Sequence, residues 1–233
     1  MYQIGLSGLD MALIRDDRIK VTAKGKIADL ITGTGVDINL EADIEDPELT
    51  ALLLSGSMPQ FNDIWFHAHL IDFENNLRLT EIQAQLSDPL GLKVALTGHI
   101  DFNPDAANLI QAMALTVDLD APTTIAAQPF LIDVIPEMGP VTGKVILNTH
   151  EMNLSTKDID FVVGAGQLVT LYIKGHIDVI PLDSDAPVKD IFLDLTLNAD
   201  RLKSVGTLLQ QDWPDIGPVM LTSRYIQRAD KGN

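Results

Sequence analysis

Two unrelated short elements recur along this chain at one shared interval, and that interval limits its possible folds more than any other feature. The first is a glycine set among alternating residues: Lys24-Gly25-Lys26-Ile27, Thr97-Gly98-His99-Ile100-Asp101-Phe102 and Lys174-Gly175-His176-Ile177-Asp178-Val179. These glycines lie 73 and 77 residues apart. The second is a proline element: Met58-Pro59-Gln60-Phe61, Ile135-Pro136-Glu137-Met138-Gly139-Pro140 and Trp213-Pro214-Asp215-Ile216-Gly217-Pro218. Pro59, Pro136 and Pro214 lie 77 and 78 residues apart. A shared interval marks an internal repeat of about 75 residues, a unit that stacks on its neighbours instead of standing alone. The chain reads as one continuous array over 1–233: partial repeat 1–28, repeat 29–103, repeat 104–180 and partial repeat 181–233. Neither end carries a distinctive cap, so truncation at both ends is the expectation.

Within each unit apolar residues recur at every second position, the period of a strand with one buried face. Val36-Asp37-Ile38-Asn39-Leu40-Glu41-Ala42-Asp43-Ile44 alternates without a break, as does Val94 through Leu96 and Ile100 to Phe102. The same parity runs from Val169 through Leu171, Ile173 and Ile177 to Val179, and from Ile19 to Ile27. The recurring glycines fall on the apolar side, where a missing side chain points to a bend or a close approach. Strands are expected near 16–28, 34–45, 60–74, 76–87, 91–103, 110–120, 138–149, 151–163, 167–180, 188–199 and 216–228. One helical stretch per unit interrupts them. The first runs from Asp46-Pro47 to Leu54, with an Asp cap and proline at the first helical position. The second spans Pro122 to Val134 and the third Asp200 to Gln211, with Leu202, Val205, Leu208 and Leu209 at helical spacing. The fold class is therefore all-β with short helices: an antiparallel repeat sheet of four strands plus one helix per unit.

An eleven-residue strand is about 36 Å long and a ten-residue helix about 15 Å, so one helix per four strands cannot cover the apolar face. The sheet either folds over into a dry sandwich or curls into a groove lined by that face. Alternation is the same in both. Val94, Leu96, Ile100, Phe102, Val169, Leu171, Ile173, Ile177 and Val179 are the candidate residues, and the pattern leaves them as core or lipid-facing alike.

Charge and motifs remove other classes. The net charge is −17, and the sixteen Lys and Arg are scattered, so a nucleic-acid backbone is a poor partner. With no cysteine, disulfides, thiolate metal sites and a Cys nucleophile are excluded. Met1 to Leu9 shows no charged segment leading into an apolar one, and no window approaches eighteen uninterrupted apolar residues. There is no G-x-S-x-G, phosphate loop or H-E-x-x-H, which points to a protein that is not an enzyme and holds no cofactor. His67 and His69 share a strand face beside Trp65 without a third metal ligand in the sequence nearby. The pairs Asp118/Asp120 and Asp183/Asp185 precede Ala-Pro, which is ordinary turn chemistry more than a calcium ladder.

Two stretches carry a family resemblance. They are Leu79-Thr80-Glu81-Ile82 with Gly91 through Leu96 to Phe102, and Met152-Asn153-Leu154-Ser155 through Val163-Gly164-Ala165-Gly166-Gln167-Leu168 to Asp178. Their order, with a helix and a proline turn following, resembles the C-terminal repeat region of AsmA-like proteins, and the similarity covers nearly the whole chain. Members are Gram-negative envelope proteins. The resemblance implies a periplasmic location, attachment to the inner membrane through an N-terminal helix outside these residues, and a β-sheet groove. It also implies phospholipid or other acyl chains as partners, in phospholipid transport or outer-membrane biogenesis, with no catalytic residues. The other reading open to such a repeat is an adhesin-like or scaffolding array with a dry core.

Overall fold

A computed structural model of the chain describes residues 4–46, 61–74, 76–104, 106, 109–130, 136–150, 153–180 and 188–228. Among the described residues twelve strands follow one another. They are β1 (Leu6–Arg15), β2 (Ile19–Asp29), β3 (Thr34–Ile44), β4 (Asp63–Phe73), β5 (Asn76–Ser87) and β6 (Lys93–Phe102), then β7 (Ile110–Ala121), β8 (Val141–His150), β9 (Asn153–Val163), β10 (Val169–Ile180), β11 (Lys189–Ala199) and β12 (Val219–Gln227). They hydrogen-bond in strict sequence order, β1 to β12, in one antiparallel sheet. Helix α1 (Thr124–Ala127), extended by a 3-10 turn at Gln128–Phe130, joins β7 to β8, and α2 (Leu202–Leu208) joins β11 to β12. Contacts divide the chain into two compact units, residues 1–89 with 94–116 and residues 90–93 with 117–233.

The sequence pattern explains the registers. In the first unit Ile19, Val21, Ala23, Gly25 and Ile27 of β2 face Ile44, Ala42, Leu40, Ile38 and Val36 of β3. β4 continues the face with Ile64, Phe66, Ala68 and Leu70. In the second unit Val169, Leu171, Ile173, Gly175 and Ile177 of β10 face Ala199, Leu197, Leu195, Leu193 and Ile191 of β11. A slip of one residue would turn each of these rows to the wrong side, so alternation pins the register.

Three differences from the expected elements have physical causes. β1 lies outside the strands read from the pattern, because its register shifts between Leu6 and Leu9 and leaves only Leu9, Met11 and Leu13 in alternation. The strand expected from residue 16 starts instead at Ile19, since Asp16 and Asp17 adopt left-handed φ of 51° and 55° and turn the chain. The middle helix, expected over Pro122 to Val134, is one α-helical turn that passes into a 3-10 turn over Gln128–Phe130, where proline brings no backbone N–H donor, and residues 131–134 lie outside the described residues. The helix expected from Asp46-Pro47 to Leu54 lies outside the described residues from Pro47 onward.

The proline elements act as straps on the helices. In one, Thr124 at the first position of α1 is fully buried, and its hydroxyl accepts from Met138 N at 2.7 Å. Thr123 caps the same helix by accepting from Ala126 N at 3.1 Å. In the other, Leu202, the first residue of α2, donates its N–H to Ile216 O at 2.5 Å. Pro140 and Pro218 then lead directly into β8 and β12.

Candidate functional site

The apolar face is the feature that asks for a function. In the second unit the buried apolar residues include Ala126 and Met138, then Val141, Val163, Val169 and Ala199 at strand ends, with Val205 on α2. Away from that end burial is incomplete. Leu171, Ile173, Ile177 and Val179 on β10 are all half-buried, as are Leu193, Leu195 and Leu197 on β11 and Ile159 and Phe161 on β9. The first unit differs in part: Ile38, Ala68 and Ile82 are buried in the middle of β3, β4 and β5, and Val94 near the start of β6, whereas Leu96, Ile100 and Phe102 are half-buried. Close packing would bury such side chains almost completely. Among the described residues the strands belong to one sheet.

All the candidate residues read from the sequence therefore belong to β6 or β10. Leu171 stands between Val163 and Leu197, and Ile173 between Phe161 and Leu195. The pattern reading passed over these neighbours on β9 and β11. Their own alternation, Ile159-Phe161-Val163 and Ile191-Leu193-Leu195-Leu197, carries the same signal.

Gly175 faces Ile159 and Leu193 on this surface. A Cβ there would collide with Phe192 O, one at Gly25 with Asp37 O, and one at Gly98 with Ala114 O. Each recurring glycine is thus the place where the following strand comes too close for a side chain. Gly98 also holds φ at 141°, a conformation costly for any other residue. On the same face Gly143 lies directly opposite Phe161, whose ring fills the space a side chain would take.

The opposite face is ionic. Lys144, Asp160, Lys174, Asp194 and Arg224 stand directly across from one another along β8 to β12. Lys174 Nζ is 3.0 Å from Asp160 and Arg224 Nε 2.7 Å from Asp194, and the aspartate raises the guanidinium's affinity for its proton. His176 stacks on Phe192 with ring centroids 5.3 Å apart. In the first unit Asp37 accepts from His69 at 2.8 Å and pairs with Lys26 at 3.3 Å, and both hold its carboxyl below the ordinary value. The most enclosed ion pair is Arg78 with Asp101, a two-pronged contact whose Nη2 arm spans 2.6 Å. The guanidinium lies 3.2 Å from the centroid of the Phe73 ring.

His67 and His69 do share the polar face of β4, and one carboxylate, Asp37, meets His69. Among the described residues no group of three or more His, Cys, Asp or Glu comes together as a metal site would require. Asp118 and Asp120 are exposed near the end of β7, and Asp183 and Asp185 lie outside the described residues. A cavity of about 870 Å³ opens beside α2, lined by Pro122, Met138, Pro140, Leu168, Arg201 and Leu208 among others. Its charge is largely internal, since Arg201 donates to both oxygens of Asp215 at 3.0 and 2.9 Å. Comparison of the chain with protein-family models, with curated proteins and with solved structures finds no significant match.

Proposed function

We propose that this chain is a non-enzymatic segment of an AsmA-like envelope protein, whose repeated sheet offers its apolar face to the acyl chains of phospholipid. The observation that carries this reading is the open apolar face. Rows of Leu, Ile, Val and Phe on β6, β9, β10 and β11 stay half-buried along most of their length. An acyl chain laid along such a row gains about 0.8 kcal/mol for each methylene removed from water. A dry core would instead need a second apolar face packed about 10 Å away.

The repeat belongs to the same proposal, as units of four strands and one helix. Gly25, Gly98 and Gly175 lie on β2, β6 and β10, every fourth strand. α1 and α2 are likewise separated by four strands, β8 to β11. The register slips by one residue in β1 between Leu6 and Leu9, in β5 between Thr80 and Gln83, and in β9 between Thr156 and Ile159. Bulges of this kind are built features that bend and twist a strand at one place. A groove built by repetition needs the same bend in each unit, and β1, β5 and β9 are again four strands apart. A periplasmic location and attachment to the inner membrane through a segment outside these residues follow from the resemblance.

Uptake of a fluorescent phospholipid from vesicles by the delipidated protein tests this reading. The wild-type chain should take up the probe, and Leu96→Asp with Ile173→Asp should lower uptake at least tenfold while far-UV circular dichroism stays unchanged. Protein that stays folded without lipid and takes up no probe would contradict the reading. Loss of folding in the double variant, with no uptake by the wild type, would favour the dry-core scaffold.

A further inference from the structure

We propose that the cavity beside α2 seats the zwitterionic head of a phospholipid, a phosphate and an ammonium in one group, while an acyl chain of the same molecule lies along β10. The inference rests on the lipid reading above and names the class of lipid. The cavity lies wholly within the second compact unit, lined by the proline strap of α1 on one side and by α2 on the other. Its volume, about 870 Å³, is that of a small-molecule site and not of a packing gap. Val169 lines it and also heads the apolar row of β10, so cavity and row meet at one side chain. Leu168 lines it too and stays 64% exposed. From Leu171 to Val179 that row runs about 26 Å. One layer of acyl chains, half a bilayer's hydrocarbon core, is about 15 Å deep. A lipid with its head in the cavity therefore finds enough of the row to hold its chain.

The lining sets the chemistry of the head. Its charged residues are Arg201 and Lys203 against Glu137 and Asp215, so a head with net charge gains nothing from the cavity as a whole. Arg201 and Asp215 satisfy each other through both carboxylate oxygens. That leaves Lys203 on α2 and Glu137 on the strap, and among the described residues neither has an ion pair. Glu137 accepts from Gly139 N at 2.8 Å and from Ile125 N at 3.3 Å, bonds that fix its carboxylate without neutralising it. One exposed cation and one exposed carboxylate match a phosphate and an ammonium in turn. An anionic head would bring a phosphate for Lys203 but nothing for Glu137, and it would meet a chain of net charge −17.

The test is competition within one sample. Delipidated protein is incubated with vesicles of equal phosphatidylethanolamine and phosphatidylglycerol and re-isolated, and its lipid is quantified by mass spectrometry. The wild type should take phosphatidylethanolamine over phosphatidylglycerol at least threefold. Glu137→Gln, which keeps an acceptor for the backbone and loses the charge, should bring the two close to equal. Lys203→Glu should lower uptake of phosphatidylethanolamine at least threefold, with far-UV circular dichroism unchanged in both variants. Asp43→Asn, an exposed change in the first unit that alters net charge as Glu137→Gln does, should leave the wild-type ratio in place. Glycerophosphoethanolamine, the same head without acyl chains, should not displace the lipid; displacement would give the cavity a soluble ligand and overturn the lipid assignment. Uptake that is blind to the head and unchanged in the Glu137 and Lys203 variants would overturn this inference and leave the groove reading intact. No uptake of either lipid by folded protein would sink the groove reading and this inference with it.

Discussion

Gly25, Gly98 and Gly175 look alike in sequence, and the structure gives each the same physical burden: no room for a Cβ beneath the next strand's carbonyl. Alanine at any of the three must push that strand away or lose its ladder bonds, so Gly175→Ala should cost about 1–3 kcal/mol. Gly8 tests the explanation, because a Cβ there meets nothing within 4 Å. Gly8→Ala should stay within about 0.5 kcal/mol of wild type. Urea midpoints of the variants measure both, and equal effects at Gly8 and Gly175 would show that glycine's chain entropy, and not crowding, sets the cost. The close approach was legible as a missing side chain on an apolar row. The neighbour causing it was not, because the register of the next strand lies outside any local pattern.

At the scale of strands and helices, alternation located β2 to β12, because apolar residues recur at about every second position along them. It passed over β1, where the slip between Leu6 and Leu9 breaks the period. Bulges are hard to see in sequence, since the extra residue carries no preferred type and looks like a turn. The nine candidate residues were found by the same rule, while Phe161 and Leu195 became visible as their companions only through cross-strand pairing. Pairing also joins distant charges into seams. Asp101 of β6 is 8% exposed at its side chain and reaches Arg78 of β5, which holds its carboxyl below the ordinary 3.8. A carboxylate whose folded pKa is lowered binds fewer protons when folded than when unfolded. Its stabilisation is therefore fully present above about pH 4 and fades as pH falls through the lowered value. The wild type should lose stability below that pH faster than Asp101→Asn, which should already be weaker at pH 7. Urea denaturation at pH 7, 4 and 3 measures this, and parallel curves for the two proteins would remove Asp101 from the account.

For the molecule as a whole, the division of labour between faces is what the proposed function rests on. One face carries the ion pairs, and the other carries apolar rows that on β6, β9, β10 and β11 stay half-buried along most of their length. Composition made that face predictable in amount, with hydrophobic residues at 46%. It left open whether the face closes on itself, because a groove and a sandwich share one alternation. The most direct test is photo-crosslinking with a phospholipid bearing a diazirine in its acyl chain, followed by peptide mapping. Adducts should fall on Phe161, Leu171, Ile173, Leu193 and Leu195, and spare Tyr172, Lys174, Asp194 and Thr196 on the other side of the same strands. Adducts spread equally over both faces, or none on folded protein, would contradict the proposal that this sheet holds acyl chains.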